Sequence, residues 1–224
     1  MTARTSFVTA ARIIDEHPET VRSWRHKRLG PLGEIGEPSG RDLLLELREV
    51  MLLALVSALN NQNRPLEVSA AVAPRWLDYV DLVATGQLGA DDRNVYAVEA
   101  RYPDGHVTRY VADGVDQLQE AMAAVAGSAA ISVLNLSELV ARVQTGWIIA
   151  TRGVDAARAD YLTHLHDVPE GERAALLAEF DRVASRVAPP PRLKRAGRVT
   201  ANGTFAPEAT PEPVQVLSKP RVKA

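Results

Sequence analysis

The chain has 224 residues, enough for one large domain or for two small domains and a tail. Hydrophobic residues make up 46% and charged residues 24%, as in a soluble globular protein, and the lack of cysteine excludes disulfides and thiolate metal sites. The net charge of −2 excludes a uniformly basic protein, and the longest apolar stretch, residues 50–59, is too short to span a bilayer. We therefore expect a cytoplasmic protein with no membrane partner.

Charge is distributed unevenly along the chain. Residues 1–30 contain six Lys or Arg and three acidic residues, a net charge of +3, and residues 188–224 contain seven and two, a net charge of +5. The residues between them carry a net charge of −10. Phosphate binding depends on local rather than total charge, so both ends are candidates for contact with nucleic acid. A solvated surface is the alternative interpretation of the same charges.

Two helices are predicted at the start of the chain. Ala10, Ala11 and Ile14 share one face of the first helix. Pro18 is typical of the first position of a second helix, because its missing N–H costs nothing there. His17 precedes it and is expected to be a poor cap. The second helix should end just before a loop rich in glycine.

That loop, residues 30–40, holds four glycines and two prolines. A short apolar run at residues 43–47 is suited to a strand that leaves the loop. Residues 49–59 predict an apolar helix. A further helix is expected from about residue 67 to residue 82, with an interruption at Pro74.

The pattern changes from helical to mixed near residue 92. Residues 95–102 and 106–111 flank a Pro-Asp-Gly turn and predict a β-hairpin. Residues 115–125 predict a helix, residues 130–134 a third strand, and residues 137–143 a short helix. The segment therefore resembles a small α+β domain.

The predicted fold class is α+β in three parts. Residues 1–86 form a helical N-terminal domain, and residues 87–187 form the α+β domain with C-terminal helices that start at about residue 154 and break near residue 170. Residues 188–224 follow with three prolines and few large apolar side chains, and we expect a disordered basic tail.

The second helix has the two faces that a helix-turn-helix requires. Val21 and Trp24 lie three residues apart and share the inward face, where they would anchor the helix. The outward residues all carry groups able to donate to phosphate or to base edges. These residues are Thr20, Arg22, Ser23, Arg25 and His26.

This region resembles the helix-turn-helix of the MerR family. The family pattern is Ala-x-x-Leu, a turn, and then Ser-Pro-x-Thr-Leu-Arg-x-Trp. The matching residues here are Ala11, Ile14 and His17-Pro18-Glu19-Thr20-Val21-Arg22-Ser23-Trp24. The likeness extends through Gly40-Arg41, residues 47–50 and residues 63–67, and covers roughly residues 6–75. Asp15 stands where the family has a turn glycine, Leu29-Gly30 inverts the family's Gly-Leu, and the wing is longer than usual.

The resemblance implies a winged helix-turn-helix that binds double-stranded DNA, with Lys27 and Arg41 added to the five outward residues as DNA contacts. We expect a sequence-specific transcriptional regulator that is homodimeric, with residues 87–187 serving to sense an unidentified effector or to dimerise. The alternative is a DNA-binding assembly protein of phage type, like an excisionase or a small terminase subunit. Fold alone does not choose between these functions.

A dimer seam is predicted on the last helix. Its apolar stripe has the three- and four-residue spacing of a helix–helix interface. The stripe consists of Leu176, Leu177, Phe180, Val183 and Val187. The same stripe would also serve to pack the helix onto the chain's own α+β domain.

The remaining polar clusters predict little chemistry. His164 and His166 are two residues apart and face different sides of a helix, so a metal site is disfavoured. Asp91 and Asp92 suit a solvated loop. The sequence predicts no catalytic residue, no metal site and no cofactor, and hence no enzyme. The tail's basic cluster would be either a phosphate-binding arm or a solubilising segment, and it consists of Arg192, Lys194, Arg195 and Arg198.

Overall fold

The protein is described by a computed structural model at residues 3–39, 42–90, 93–166 and 168–188. Arg41, Asp91, Asp92 and the tail from residue 189 onward lie outside these described residues. Within them the fold is α+β, with two antiparallel sheets of three strands each. This agrees with the predicted fold class.

The N-terminal elements come in the order strand, two helices, hairpin, two helices. They are β1 (Thr5–Ser6), α1 (Phe7–Ile13), α2 (Pro18–His26), a 3-10 turn (Gly30–Gly33), β2 (Glu37–Ser39), β3 (Asp42–Leu45), α3 (Leu47–Asn60) and α4 (Leu66–Ala84). The first sheet has the order β1-β3-β2, with Leu44 opposite both Ser6 and Glu37. The hairpin β2–β3 therefore lies beside the start of α1.

The later elements form the second sheet and the C-terminal helices. They are β4 (Val95–Arg101), β5 (Val107–Asp113), α5 (Val115–Ala124), β6 (Ala130–Asn135), α6 (Leu136–Arg152), α7 (Val154–His164) and α8 (Glu170–Val187). The sheet order is β5-β4-β6, so β4 is its centre. The predicted hairpin, third strand and helix break before Gly171 are confirmed.

Local capping explains where α1 and α2 begin. The Ser6 hydroxyl accepts a hydrogen bond from the Thr9 N–H at 3.2 Å. His17 was predicted to be a poor cap, and this prediction is wrong, because its Nδ1 accepts from the Glu19 N–H at 3.3 Å. Pro18 occupies the first turn of α2, as predicted.

The carboxylate of Glu49 connects the hairpin to α3. It accepts from the N–H of Gly36 at 2.6 Å and from the N–H of Glu46 at 2.8 Å. Gly36 has a φ of +78°, and a Cβ there would lie 2.6 Å from Leu43 Cγ, so only glycine fits. The position of the hairpin is therefore set by the tight turn at Gly36 and by the first turn of α3.

Two predicted helices are longer than their local pattern suggested. The helix α4 runs through Pro74 without a break, because Ala73, Trp76 and Leu77 around it are buried and tertiary packing outweighs the lost backbone bond. The helix α6 continues to Arg152, because Trp147 and Ile149 remain in the core.

The two faces of the second sheet meet different partners. Val98, Ala100 and Ala112 are buried on the face covered by α5, whose Ala121 and Val125 are also buried. The opposite face places Val95 and Ala97 in the main core. The sheet is thus enclosed near the start of β4 on both sides.

The core is continuous across residue 86, where we predicted a domain boundary. The helix α6 contacts α1, α3 and α4, and the chain up to Pro189 forms one compact unit. At Gly146, α6 approaches α1 so closely that a Cβ would lie 2.9 Å from Ile13 Cγ2. The predicted division of function between residues 1–86 and 87–187 stays a prediction.

The apolar stripe of α8 packs inside the chain. Phe180, Val183 and Val187 are buried, and α8 contacts α1 and α6. These three residues are therefore not available for the predicted dimer seam: α8 packs on α6 of the α+β part, as the alternative expected, and also on α1, whereas Leu176 of the same stripe is 37% exposed. Among the described helices, none is long and apolar enough to cross a membrane.

Candidate nucleic-acid interface

The helix α2 is anchored by the two residues that the sequence selected. Val21 is fully buried and Trp24 is 4% exposed, and both belong to the main core. Their burial fixes the rotation of the helix about its axis. The opposite face consequently turns to solvent.

Most of the predicted DNA-binding residues lie on that opposite face. Arg22, Ser23, His26 and Lys27 are exposed, and Arg25 is half-buried. Thr20 is also half-buried, and its backbone carbonyl accepts from the Ser23 hydroxyl at 2.8 Å. The hydroxyl of Ser23 thus already has a partner in the free protein. The seventh predicted contact, Arg41, lies outside the described residues.

Three of these side chains meet in one cleft between α2 and the hairpin. Arg22, Arg25 and His26 line a groove of about 280 Å³ together with residues of α1, β2 and β3. The other lining residues are Phe7, Val8, Pro38 and Leu43. Val8 is 39% exposed, which is unusual for a large apolar side chain beside charged groups. The groove therefore combines cationic groups with an apolar floor.

Acidic residues already pair with two arginines near the groove. Arg22 forms an ion pair with Glu19, and Arg4 pairs with Glu37 and, at 3.2 Å, with Glu46. The hydrogen bond that Arg4 donates to Glu37 is the main cause that raises the pKa of Arg4 above its usual value. Exposed pairs of this kind contribute little to stability because solvent screens them, so an arriving phosphate can replace a carboxylate at small cost.

Arg25 has a different environment from Arg22. Its Nε is buried and has no hydrogen-bond partner among the described residues. That atom is closed to solvent, so an anion in the groove can approach Arg25 only through its other side-chain atoms. Arg25 therefore differs from the exposed Arg22 in how much of its side chain a ligand can reach.

Asp15 lies in the turn between α1 and α2, at the position where the MerR pattern has a glycine. Asp15 adopts a φ of +65°, the left-handed conformation that glycine would otherwise supply and that aspartate tolerates. Arg186 of α8 reaches this turn, and its Nη1 lies 2.8 Å from the Asp15 carboxylate. The C-terminal helix α8 thus contacts the turn between α1 and α2, and no local sequence signal could reveal this contact.

Sequence reasoning missed Phe7 and Val8 as neighbours of the predicted contacts. They come together because β1, only two residues long, pairs with β3 and carries the start of α1 beside the hairpin. A two-residue strand has no periodicity to detect. The described residues also contain no group of three His, Asp or Glu suited to a metal ion.

Comparison with known proteins adds no assignment. No protein-family model matches the chain, and no curated protein matches it. The arrangement of the residues themselves is therefore the basis for a functional proposal.

Proposed function

We propose that this protein binds double-stranded DNA through α2 and acts as a sequence-specific transcriptional regulator. In this proposal α2 enters the major groove and the β2–β3 hairpin is a wing. An α-helix with its side chains is about 10–12 Å across, which fits the roughly 12 Å width of the major groove. Resemblance to the MerR pattern supports the same assignment.

The observation that carries the proposal is the cationic groove beside an anchored helix. Val21 and Trp24 hold α2 in the core, while Arg22, Arg25 and His26 converge on one groove between helix and hairpin. Phosphates can displace Glu19 from the exposed Arg22 and approach Arg25, which lines the same groove. The exposed position of Lys27 at the end of α2 extends the positive surface.

The test is a selection from a random duplex library, followed by fluorescence anisotropy on the enriched duplex at fixed salt. Arg22→Ala and Arg25→Ala should each weaken binding by about 1–3 kcal/mol if they read base edges. Arg75→Ala is the matched control, because Arg75 is exposed on α4 and does not line this groove. Failure to enrich any duplex, or equal losses in all three variants, would refute the proposal.

We also propose a homodimer, because one recognition helix reads few base pairs. Phe180, Val183 and Val187 of the α8 stripe are buried within the chain, so the proposed interface lies on the outward side of α7 and α8. There Leu162 is 48% and Leu176 is 37% exposed. Light scattering should show a dimer that Leu162→Asp with Leu176→Asp converts to a monomer. A monomeric wild-type protein at micromolar concentration would contradict this proposal.

The regulator and the phage-type assembly protein differ in what the isolated chain does. A dimeric regulator should select a palindrome without help. An assembly factor should need a second protein to bind its site. The same selection experiment, done with the purified chain alone, therefore separates the two functions.

A further inference from the structure

A second charged cleft lies between the second sheet and the loop that joins α3 to α4. It has a volume of about 430 Å³, within the range of small-molecule sites. The loop and α4 contribute one wall, formed by Gln62, Asn63, Arg64, Pro65 and Val68. The strands β4 and β6 contribute the other, formed by Glu99, Arg101, Ala130, Ile131, Ser132 and Val133.

Strand register explains why charges appear at this place. The row Val111, Ala97 and Leu134 crosses the sheet inside the core. Two residues further along, the same face carries Arg109, Glu99 and Ser132 as direct cross-strand neighbours. The sheet face thus changes from apolar to charged as it leaves the helical core and enters the cleft.

Glu99 is the centre of a buried ion cluster. Its side chain is 4% exposed, and each carboxylate oxygen is 2.7 Å from a different arginine: Oε1 from Arg64 Nη1 and Oε2 from Arg109 Nε. Both of its oxygens are therefore paired while two guanidiniums share one negative charge. The cluster keeps a net charge of +1 in a region of low exposure.

Arg101 adds a second positive charge at the mouth of the cleft. It lies one row beyond Glu99 on the same face, it is exposed, and its guanidinium has no hydrogen bond or ion pair within the described part of the chain. The amino terminus of α4 borders the cleft at Pro65 and Val68, and no side chain caps it. A helix start carries partial positive charge, so it acts in the same direction.

We propose that this cleft binds a small oxyanion, a phosphate- or carboxylate-bearing molecule. Arg101 is the free anchor, and Glu99 holds Arg64 in place so that its remaining N–H groups face the ligand's charge. Concavity and size exclude a duplex, which needs an open surface. The proposal does not depend on DNA binding by α2.

The test is isothermal titration of the full chain with inorganic phosphate and, separately, with succinate, in Tris chloride at constant ionic strength. We expect saturable binding of at least one of them. Arg101→Gln should weaken it about tenfold or more, the effect of losing one charge-assisted contact. Arg75→Gln, the matched exposed arginine outside the cleft, should leave it unchanged.

For Glu99→Gln we expect the opposite effect on anion binding. It keeps the side-chain shape but removes the negative charge, so anion binding should tighten several-fold. Circular dichroism reports whether this variant folds. If it does not fold, Arg101→Gln alone decides the question, because the fold does not need that exposed side chain.

Binding of phosphate only, of succinate only or of both supports the proposal and identifies the preferred class. No saturable heat with either anion, unchanged binding by Arg101→Gln, or equal losses in Arg101→Gln and Arg75→Gln would overturn it.

Discussion

The outward face of α2 and the cleft beside Glu99 are both rich in arginine, and they hold their charges in opposite ways. On α2, Arg22 is exposed and forms, within the described residues, an ion pair with the exposed side chain of Glu19, while Arg25 is half-buried. In the cleft, Arg64 and Arg109 are held against a buried carboxylate by a sheet and a loop. Arginine thus forms a weak, exposed ion pair in one region and strong ion pairs with a buried carboxylate in the other.

This difference in ion pairing indicates which kind of anion each region can bind. Exposed pairs cost little to exchange, so the α2 face suits an extended polyanion that replaces many weak contacts at once. Buried pairs are costly to break, so the cleft suits a small ligand that adds to an existing cluster without disrupting it. Substitutions in and between the two regions test that contrast.

Trp24→Ala should have the largest effect, because it removes the main anchor beneath the α2 surface. Trp24 is 4% exposed, and loss of such a side chain should lower the free energy of unfolding by about 3–5 kcal/mol. DNA binding would then fail through unfolding. Urea denaturation measures the change, and a variant as stable as wild type would show that α2 is held by something else.

Arg64→Ala should be the next largest. It leaves the 4% exposed carboxylate of Glu99 with Arg109 as its one partner among the described residues, which should cost about 2–4 kcal/mol of stability. The double variant Arg64→Ala, Glu99→Gln should recover part of the loss, because it removes the buried negative charge and leaves only the charge of Arg109, which is 27% exposed. A loss below about 1 kcal/mol for Arg64→Ala would mean that the cluster behaves like a surface pair.

Gly146→Ala tests the contact that joins the two regions through α6 and α1. The added Cβ would lie 2.9 Å from Ile13 Cγ2, so the helices must separate or Ile13 must shift. We expect a loss of about 1–3 kcal/mol. Ile13→Ala removes both γ carbons that the new Cβ would meet, so it should relieve the clash in the double variant, measured by urea denaturation. Additive effects of the two changes would show that the two side chains do not compete for space.

The outward face of α2 was predictable from sequence and the cleft was not, and the reason lies in how far apart along the chain the residues of each region are. Val21, Trp24 and the outward arginines of α2 follow from helical period alone, since three-residue spacing decides which face is buried. The cleft was not predictable: Arg64 and Glu99 are 35 residues apart and meet only through the sheet register and the α3–α4 loop. Arg186 and Asp15 show the same limit, because a contact between α8 and the first turn leaves no local pattern.

Arg22→Ala should have the smallest effect on stability, and it is compared here with Arg64→Ala. Its ion pair with Glu19 is exposed at both ends, with side-chain exposures of 48% and 64%, so the free energy of unfolding should change by less than about 1 kcal/mol. The change should shrink further in high salt, because exposed charges are screened. Arg64→Ala should keep its effect at the same salt, since its partner carboxylate is buried. Urea denaturation of both variants at low and high salt is the measurement, and equal salt sensitivity would remove the distinction between the two regions.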